Sequence, residues 1–340
     1  MKKDARFWKG VGNKKVQCSL CSHNCKIDEG MFGICGVRKN ENGKLYALIY
    51  GSCSSMAADP IEKKPLYHFY PGTNVFSLGT VGCNFKCKHC QNSSISMAMP
   101  NCSCIKEITP EQTIELAREY ACQGIAWTYN EPTIWHEFSF DSAKLAKKAG
   151  LYSVYVSNGY INEDPLREIS PFLDAMNVDV KAFNDDFYKK VCKARLEPVL
   201  KTCELAKELD IHLEVTYLVI PSYNDSVDEV RQFCRWVVEK LGSSTPVHFS
   251  RFHPDYNMTD VPVTPIETLL KIYDIAKESG ILYPYLGNVP RGEYENTICP
   301  NCGNICIERC GYSVSLNGIR DGKCVKCGTS ISIVTDKHKK

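Results

Sequence analysis

The chain has 340 residues, 44% of them hydrophobic, and its 41 basic and 39 acidic side chains leave a formal net charge of +2. That length can bury one sizeable core with small additional segments. The near-neutral charge provides no broad positive field, which argues against a protein that binds nucleic acid.

Twenty of the residues are cysteines, and several stand in C-x2-C pairs. Cysteines grouped in this way are typical of metal ligands rather than disulfides when a chain shows no secretory signal. Residues 1–15 are charged and lack the apolar core of a signal peptide, and no apolar run approaches the roughly 18 residues of a membrane span. The sequence therefore predicts a soluble, cytoplasmic protein with several metal sites.

Residues 1–72 form a predicted Cys-rich metal-binding segment. Four of its thiols follow the pattern C-x2-C-x3-C-x9-C and can close one tetrahedral site; they are Cys18, Cys21, Cys25 and Cys35. The first pair resembles a zinc knuckle, whereas three close cysteines with a distant fourth suit an iron–sulfur cluster equally well. Both metals stay open. Downstream, Asn42-Gly43 before the β-rich residues 44–50 predicts a hairpin.

A second group of thiols lies in the stretch GTVGCNFKCKHCQN, directly after the apolar residues 75–78. Cys83, Cys87 and Cys90 have the spacing C-x3-C-x2-C. Because a [4Fe–4S] cluster needs four ligands, three cysteines leave one iron open to a substrate or cofactor. A three-cysteine zinc knuckle, or reduced thiols on a turn, is the alternative.

Residues 73–290 alternate predicted strands with predicted helices, which indicates a parallel sheet with right-handed crossovers. Thr109-Pro110 and Thr264-Pro265 are both typical helix starts. Seven strand–helix units fall short of eight, so we expect a partial, open TIM-type (β/α) barrel. The predicted strands are 75–81, 124–129, 152–157, 175–181, 212–220, 247–252 and 282–286.

Polar side chains follow nearly every predicted strand, and chemistry in parallel β/α barrels lies at these carboxyl ends. Such a rim suits a polar ligand across the mouth of the barrel. Each residue alone could also form a simple ion pair at a strand end. The candidates are Asn130, Glu131, Asn158, Asp179, Lys181 and His253.

Residues 291–340 carry two C-x2-C-G knuckles separated by 21 residues. This spacing predicts a C-terminal zinc ribbon, with a rubredoxin-like iron site as the alternative. The segment is too short for its own core, so metal binding should supply its folding energy. The predicted ligands are Cys299, Cys302, Cys324 and Cys327. Cys102 and Cys104, two residues apart, are expected to be free.

The C-x3-C-x2-C spacing resembles that of the radical S-adenosylmethionine (radical SAM) superfamily. The longer motifs CSLCSHNC, GMFGICGVR, ADPIEKKPLYHFYPG and GTVGCNFKCKHCQN resemble one subgroup of it. This is the AmmeMemoRadiSam system radical SAM enzyme, which is related to pyruvate formate-lyase activating enzymes. The resemblance runs nearly from end to end of the chain and is silent on substrate.

The resemblance implies a partial (β/α) barrel whose [4Fe–4S] cluster binds S-adenosylmethionine and cleaves it with one electron. The resulting 5′-deoxyadenosyl radical abstracts hydrogen from a substrate. A one-electron donor of the flavodoxin or ferredoxin type is implied as a partner. Memo-like and AMMECR1-like proteins are candidate partners through the same association.

The resemblance also implies roles for the residues at the strand ends. Asn130 and Glu131 stand where the family has Gly-Gly-Glu-Pro, with both glycines replaced, and Glu131 is expected to accept the methionine ammonium. Lys181 or His253 is expected to bind the carboxylate. The ribose hydroxyls are assigned to Asp179 or Asn158.

The leading hypothesis is thus a radical SAM enzyme, acting either on a partner protein, as glycyl-radical activases do, or on a small molecule. A hypothesis from another class is a non-catalytic iron–sulfur electron carrier or scaffold. It accounts for the thiols but leaves the polar strand ends unexplained. A zinc-dependent nucleic-acid-binding protein would need a basic face that the composition lacks.

Overall fold

The computed structural model describes residues 1–290 and 292–335. Residue 291 and the last five residues of the predicted 291–340 segment lie outside the described residues. Within them, no helix is long and apolar enough to cross a membrane.

The fold is organised around one eight-stranded sheet in which neighbouring strands are also consecutive in sequence. β1 pairs antiparallel with β2, and β2 to β8 are all parallel. In the described residues β1 and β8 do not pair with each other, so the barrel is open, as predicted. The strands are β1 (Ser55–Pro60), β2 (Asn74–Gly79), β3 (Gly124–Trp127), β4 (Tyr152–Ser157), β5 (Ala175–Asp179), β6 (His212–Val219), β7 (Val247–Arg251) and β8 (Pro284–Gly287).

All seven predicted strands are present, with ends that differ by a few residues. β1 was not predicted, because Ser55–Pro60 has no apolar alternation and ends in a proline. A proline is tolerated there because β1 is an edge strand. The sheet therefore begins ahead of the predicted boundary at residue 73.

Helices cover the outside of the sheet between the strands. The longer ones are α1 (Pro110–Glu119), α2 (His136–Lys148), α3 (Glu163–Ile169), α4 (Leu196–Glu208), α5 (Val227–Trp236) and α6 (Ile266–Glu278). Single helical turns span Ser93–Ser96 and Asp185–Phe187, π-helical turns span Tyr188–Cys192 and Val237–Leu241, and 3-10 turns span Ile61–Lys63, Pro132–Trp135, Ser170–Phe172 and Gly292–Glu295.

Of the two predicted helix starts, one has the expected cap. The Thr109 hydroxyl accepts from the Gln112 backbone, and the Gln112 side chain accepts from the Thr109 backbone, which is a capping box. The prediction of the same cap at Thr264 is wrong. Its hydroxyl donates to the Val219 carbonyl at 2.6 Å, because it is needed to join two strand ends.

Small antiparallel sheets build the two ends of the chain. The predicted hairpin at Asn42-Gly43 joins Arg38–Glu41 to Lys44–Ala47. The remaining N-terminal strands are Lys3–Asp4, Trp8–Gly10, Val16–Cys18 and Lys26–Ile27, and Ser52–Cys53 pairs with Lys106–Glu107. The C-terminal strands are Thr297–Ile298, Ile305–Cys310, Ser313–Ser315, Ile319–Arg320 and Lys323–Cys324.

A buried carboxylate ties these ends to the amino-terminal side of the sheet. Glu214 of β6 is fully buried and accepts from the backbone of Tyr67 at 2.9 Å and of His68 at 2.7 Å. His248 of β7 bonds Glu214 Oε2, the oxygen that also accepts from Tyr67, at 2.7 Å. Arg309, from the C-terminal hairpin, donates to the Tyr67 carbonyl at 2.7 Å. The polar stretch around residues 59–69 therefore has a structural role at the amino-terminal side of the sheet.

His68 should make folding stability depend on pH. Its buried ring bonds the Tyr285 hydroxyl at 2.6 Å, and burial lowers its pKa to about 4. As pH falls from about 6.5 towards 4, the unfolded chain gains a proton that the folded chain excludes, so stability decreases by about 1.4 kcal/mol per pH unit. The free energy of unfolding of His68→Gln, measured with urea at each pH in this range, should depend less steeply on pH. The control variant His253→Gln, at an exposed position, should keep the pH dependence of the natural protein. If the natural protein and both variants showed the same pH dependence, His68 would not be its source.

Candidate active site at the carboxyl end of the sheet

The three central cysteines lie in the loop that follows β2. Cys83 and Cys87 are buried and Cys90 is half-buried. All three line one cavity of about 210 Å³ at the carboxyl end of the sheet, together with His89. Both ring nitrogens of His89 are buried without a hydrogen-bond partner in the described residues, and burial lowers its pKa to about 3, so the ring is neutral.

Gly82 allows this loop to approach the N-terminal segment. Its φ is +83°, and a Cβ at this position would lie 2.5 Å from Val37 Cγ1 and 2.8 Å from the Cys35 carbonyl oxygen. Only glycine satisfies both the backbone conformation and the lack of space. The N-terminal segment thus sets the position of Cys83.

Four of the polar residues predicted at strand ends line the same cavity: Asn130, Asn158, Asp179 and Lys181. They follow or end β3, β4 and β5, so the parallel register alone brings them to one edge. The structure thus brings these four predicted residues together at one cavity.

Two of these residues have their side-chain amides engaged in holding the cysteine loop. Asn130 accepts from the Thr80 backbone at 3.2 Å and donates to the Gly82 carbonyl at 2.8 Å. Asn158 donates to Asn84 Oδ1 at 2.8 Å, next to Cys83. Both residues therefore position the loop.

Asp179 and Lys181 form the charged part of the wall, with Lys181 Nζ 2.9 Å from Asp179 Oδ2. Burial acts to lower the pKa of Lys181, but Asp179 and the neighbouring Cys87 raise it well above its ordinary value, so the ammonium stays charged. Among the cavity-lining residues described, Asp179 is the one carboxylate and Lys181 the one cation. The pair offers an acceptor and a positive charge to a ligand.

Glu131 does not line this cavity, contrary to its expected contact with an ammonium group. It is fully buried, and its Oε1 accepts from the Thr133 backbone and the Ser157 hydroxyl, both at 2.8 Å. Oε2 accepts from the Asn158 backbone at 2.8 Å. A buried carboxylate needs such donors, and the protein supplies three of them. Glu131 thus joins the ends of two neighbouring strands, and its contact with an ammonium group stays a prediction.

His253 is not among the cavity-lining residues either. It is exposed, and its Nε2 lies 2.9 Å from the Gln91 side-chain amide, which does line the cavity. The expected contact with a carboxylate could be made only by a ligand that reaches the rim.

Tyr129, Thr216 and Ser250 also line the cavity, although no role was predicted for them. Tyr129 has a φ of +72°, and its hydroxyl donates to Asp59 at 2.8 Å. Thr216 and Ser250 could have been found from their positions near the carboxyl ends of β6 and β7. The contact between Tyr129 and Asp59 joins residues 70 positions apart, so no local sequence pattern could predict it.

The spacing of the sulfur atoms separates two kinds of metal site. In the part of the chain that the structure describes, one group of three or more metal-donor atoms lies mutually within 4.8 Å, and it is the C-terminal one. Cys83, Cys87 and Cys90 line a common cavity without being that close. This arrangement fits a multi-iron cluster, in which each thiolate binds a different iron.

The four C-terminal cysteines are compatible with a single metal ion. Cys299 and Cys327 Sγ are 3.5 Å apart, and Cys302 and Cys324 Sγ are 3.7 Å apart. Metal–sulfur bonds of about 2.3 Å in a tetrahedron place sulfurs about 3.8 Å apart. The predicted ligand set is thus assembled.

The expectation of free thiols at Cys102 and Cys104 is wrong. The structure pairs them in a disulfide with Cα atoms 5.2 Å apart. The tight turn between residues 99 and 105 brings these thiols together, and two such ligands were in any case too few for a metal site.

Comparisons with known proteins agree with this geometry. The model of the radical SAM superfamily matches residues 77–236. An uncharacterized protein of Methanocaldococcus jannaschii is 50% identical over 334 residues, which are 98% of this chain and 99% of that protein. This chain belongs to the radical SAM superfamily. Its members are enzymes, so the chain is a radical SAM enzyme.

Activating enzymes are among the relatives of this radical SAM enzyme. The pyruvate formate-lyase-activating enzyme of Clostridium pasteurianum is 23% identical over 217 residues, covering 58% of this chain and 87% of that enzyme. Among solved structures, Streptococcus suis SuiB bound to precursor peptide SuiA has a TM-score of 0.50 at 10% identity. The match covers 68% of this chain and 52% of SuiB, and it concerns the fold alone.

Gly82→Ala should destabilise the protein more than an ordinary glycine replacement. The positive φ costs about 1 kcal/mol, and the overlap with Val37 and Cys35 adds to it, for a total of roughly 3 kcal/mol. Gly150→Ala is the matched control, since it has a φ of +73° and no atom within 4 Å of its added Cβ. If Gly82→Ala and Gly150→Ala lost equal free energy of unfolding in denaturant, the close approach at Gly82 would make no contribution to the loss.

Proposed function

We propose that Cys83, Cys87 and Cys90 hold a [4Fe–4S] cluster whose open iron binds S-adenosylmethionine. The observation that carries this proposal is one cavity lined both by the three cysteines and by the Asp179–Lys181 pair. A cluster bound there would supply one electron for cleavage of S-adenosylmethionine to methionine and a 5′-deoxyadenosyl radical, which would take a hydrogen atom from the substrate.

The residues of the wall then have distinct tasks. Lys181 Nζ binds the ligand carboxylate as a charge-assisted donor, and Asp179 accepts hydrogen bonds from the hydroxyl and ammonium donors. Asn130 and Asn158 hold the cysteine loop in place. Glu131 fixes Asn158 from behind. In this proposal two charged residues bind the ligand and two neutral amides position the cysteine loop. These two tasks account for the polar groups that follow so many strands.

We propose a segment of a partner protein as the substrate, ahead of a small molecule. The support is the similarity to an enzyme named for activating pyruvate formate-lyase, of which the match covers 87%. Memo-like and AMMECR1-like proteins are the candidate partners, and a ferredoxin- or flavodoxin-type protein is the candidate electron donor.

We further propose zinc as the metal of Cys299, Cys302, Cys324 and Cys327. The two knuckles and the short Sγ–Sγ distances support it. The hairpin that carries this site contacts the amino-terminal side of the sheet through Arg309. A role in stability follows from that location.

The anaerobically reconstituted enzyme should form 5′-deoxyadenosine from S-adenosylmethionine when a strong reductant is added. The Cys83→Ala/Cys87→Ala/Cys90→Ala triple variant should form none, because it cannot hold the cluster. Liquid chromatography quantifies the nucleoside. A fully loaded enzyme that neither binds nor cleaves S-adenosylmethionine would favour the electron-carrier hypothesis instead.

Lys181→Met and Asp179→Asn should each weaken S-adenosylmethionine binding by roughly 10- to 100-fold, since each removes a charge-assisted contact of about 1.5–3 kcal/mol. Equilibrium dialysis with labelled ligand on protein of matched iron content measures this. Lys190→Met and Asp186→Asn are the controls, because that pair is 2.9 Å apart but exposed. Unchanged affinity in the Lys181 and Asp179 variants would remove both residues from the binding site.

A further inference from the structure

The four N-terminal cysteines surround a cavity of their own. Cys18 ends a strand, Cys21 and Cys25 lie in the following turn, and Cys35 lies in the loop before Arg38–Glu41. All four line a pocket whose remaining walls include apolar side chains from Leu20, Ile27 and Ile134. The four thiols thus face one common space.

The sulfur spacing in this cavity does not suit a single ion. No three of the four sulfurs lie mutually within 4.8 Å, because the one such group in the described residues is the C-terminal one. A mononuclear tetrahedral site needs sulfurs about 3.8 Å apart. The C-terminal cysteines meet this requirement and serve as an internal comparison, with distances of 3.5 and 3.7 Å. The N-terminal cysteines line a common cavity without being that close.

A buried cation lines the same cavity. Arg38 is 1% exposed, and its Nη1 lies 3.9 Å from Cys18 Sγ. Its Nε is buried without a hydrogen-bond partner in the described residues, which is rare for a protein donor. Glu137 pairs with the far side of the guanidinium. A centre held by four thiolates is anionic, so a cation and a spare donor beside it are fitting neighbours.

Backbone also approaches the sulfurs closely. A Cβ on Gly33 would stand 3.8 Å from both Cys25 Sγ and Cys35 Sγ and 3.3 Å from Ile27 Cδ1. A larger residue at position 33 would therefore crowd the wall between these two thiols. Gly33 therefore lies beside both thiols at the wall of the cavity.

We propose that Cys18, Cys21, Cys25 and Cys35 hold a second [4Fe–4S] cluster rather than zinc. With four cysteine ligands every iron is bound by the protein, so this cluster has no position for substrate or S-adenosylmethionine. The proposal concerns metal content alone and holds whether or not the first cluster cleaves S-adenosylmethionine.

The second cluster lies directly behind the first cysteine loop. His23, between Cys21 and Cys25, has its Nε2 2.8 Å from the Asn84 carbonyl oxygen. The Cys35 carbonyl packs against Gly82, the residue before Cys83. Cys21 and Cys35 share one buried core with Cys83 and Cys87. Filling the N-terminal site therefore stabilises the segment against which the first loop packs.

The test uses the Cys83→Ala/Cys87→Ala/Cys90→Ala triple variant, in which the N-terminal cysteines are intact. After anaerobic reconstitution we expect about four irons and four sulfides per chain, against about eight of each in the natural protein. The reduced variant should give a [4Fe–4S]⁺ electron paramagnetic resonance signal that S-adenosylmethionine leaves unchanged. Zinc at about two per chain with little iron, or a single iron without sulfide, would overturn the proposal.

Two added substitutions locate the remaining iron. Cys25→Ser in the triple background should abolish the iron–sulfur absorption or convert the centre to a three-iron form. Cys203→Ser is the matched control, because Cys203 is fully buried in α4 and lines neither cavity, and it should leave four irons. Circular dichroism checks that each variant is folded. An unchanged four-iron centre in the Cys25→Ser protein would place the cluster elsewhere and refute the assignment. Because the triple background cannot cleave S-adenosylmethionine, this result is independent of the enzyme's activity.

Discussion

The carboxylate of Glu131 is the interaction on which the candidate active site depends. A buried negative charge is tolerated only when hydrogen bonds compensate for its lost hydration, and three donors at 2.8 Å do so here. These donors come from the residues just after β3 and at the end of β4, so the carboxylate locks two neighbouring strand ends together. Asn158 is thereby held against Asn84 and the Cys83 loop. A site supported in this way by rigid strands keeps its geometry before any ligand binds.

The opposite end of the sheet is organised by a second buried carboxylate with a different task. Glu214 binds backbone and histidine donors and connects, through Tyr67 and Arg309, to the C-terminal hairpin. Burial acts to raise the pKa of Glu214, but hydrogen bonds from His212 and His248 lower it well below its ordinary value. The barrel therefore follows the usual division, with chemistry at the carboxyl ends of the strands and stability at the amino ends. The segment with the four C-terminal cysteines lies at the amino ends of the strands, where the contacts serve stability.

The cysteine sets show how similar spacings can serve different sites. The C-terminal and N-terminal segments both begin with C-x2-C, and the sequence left zinc and iron–sulfur open for the N-terminal set. In space the C-terminal sulfurs converge to 3.5 and 3.7 Å, whereas the N-terminal ones surround a cavity. Arg38, three residues after Cys35, also lines that cavity, which the spacing of the cysteines does not reveal. The distances between the sulfurs, rather than their order, distinguish the two proposals.

The sequence by itself determined the seven parallel strands, the capping box at Thr109 and the family, because periodicity, caps and cysteine spacing are local patterns. It also placed Asp179 and Lys181 at one edge, since parallel strands align their carboxyl ends. Only the tertiary structure decided that Glu131 is buried among donors that follow β3 and end β4, that Ser55–Pro60 adds a strand and that Thr264 bonds a distant carbonyl instead of capping its helix. Each of these outcomes depends on partners far away in the chain. A short motif cannot encode which distant donor or backbone competes for a side chain, because that competition exists only after the chain has folded.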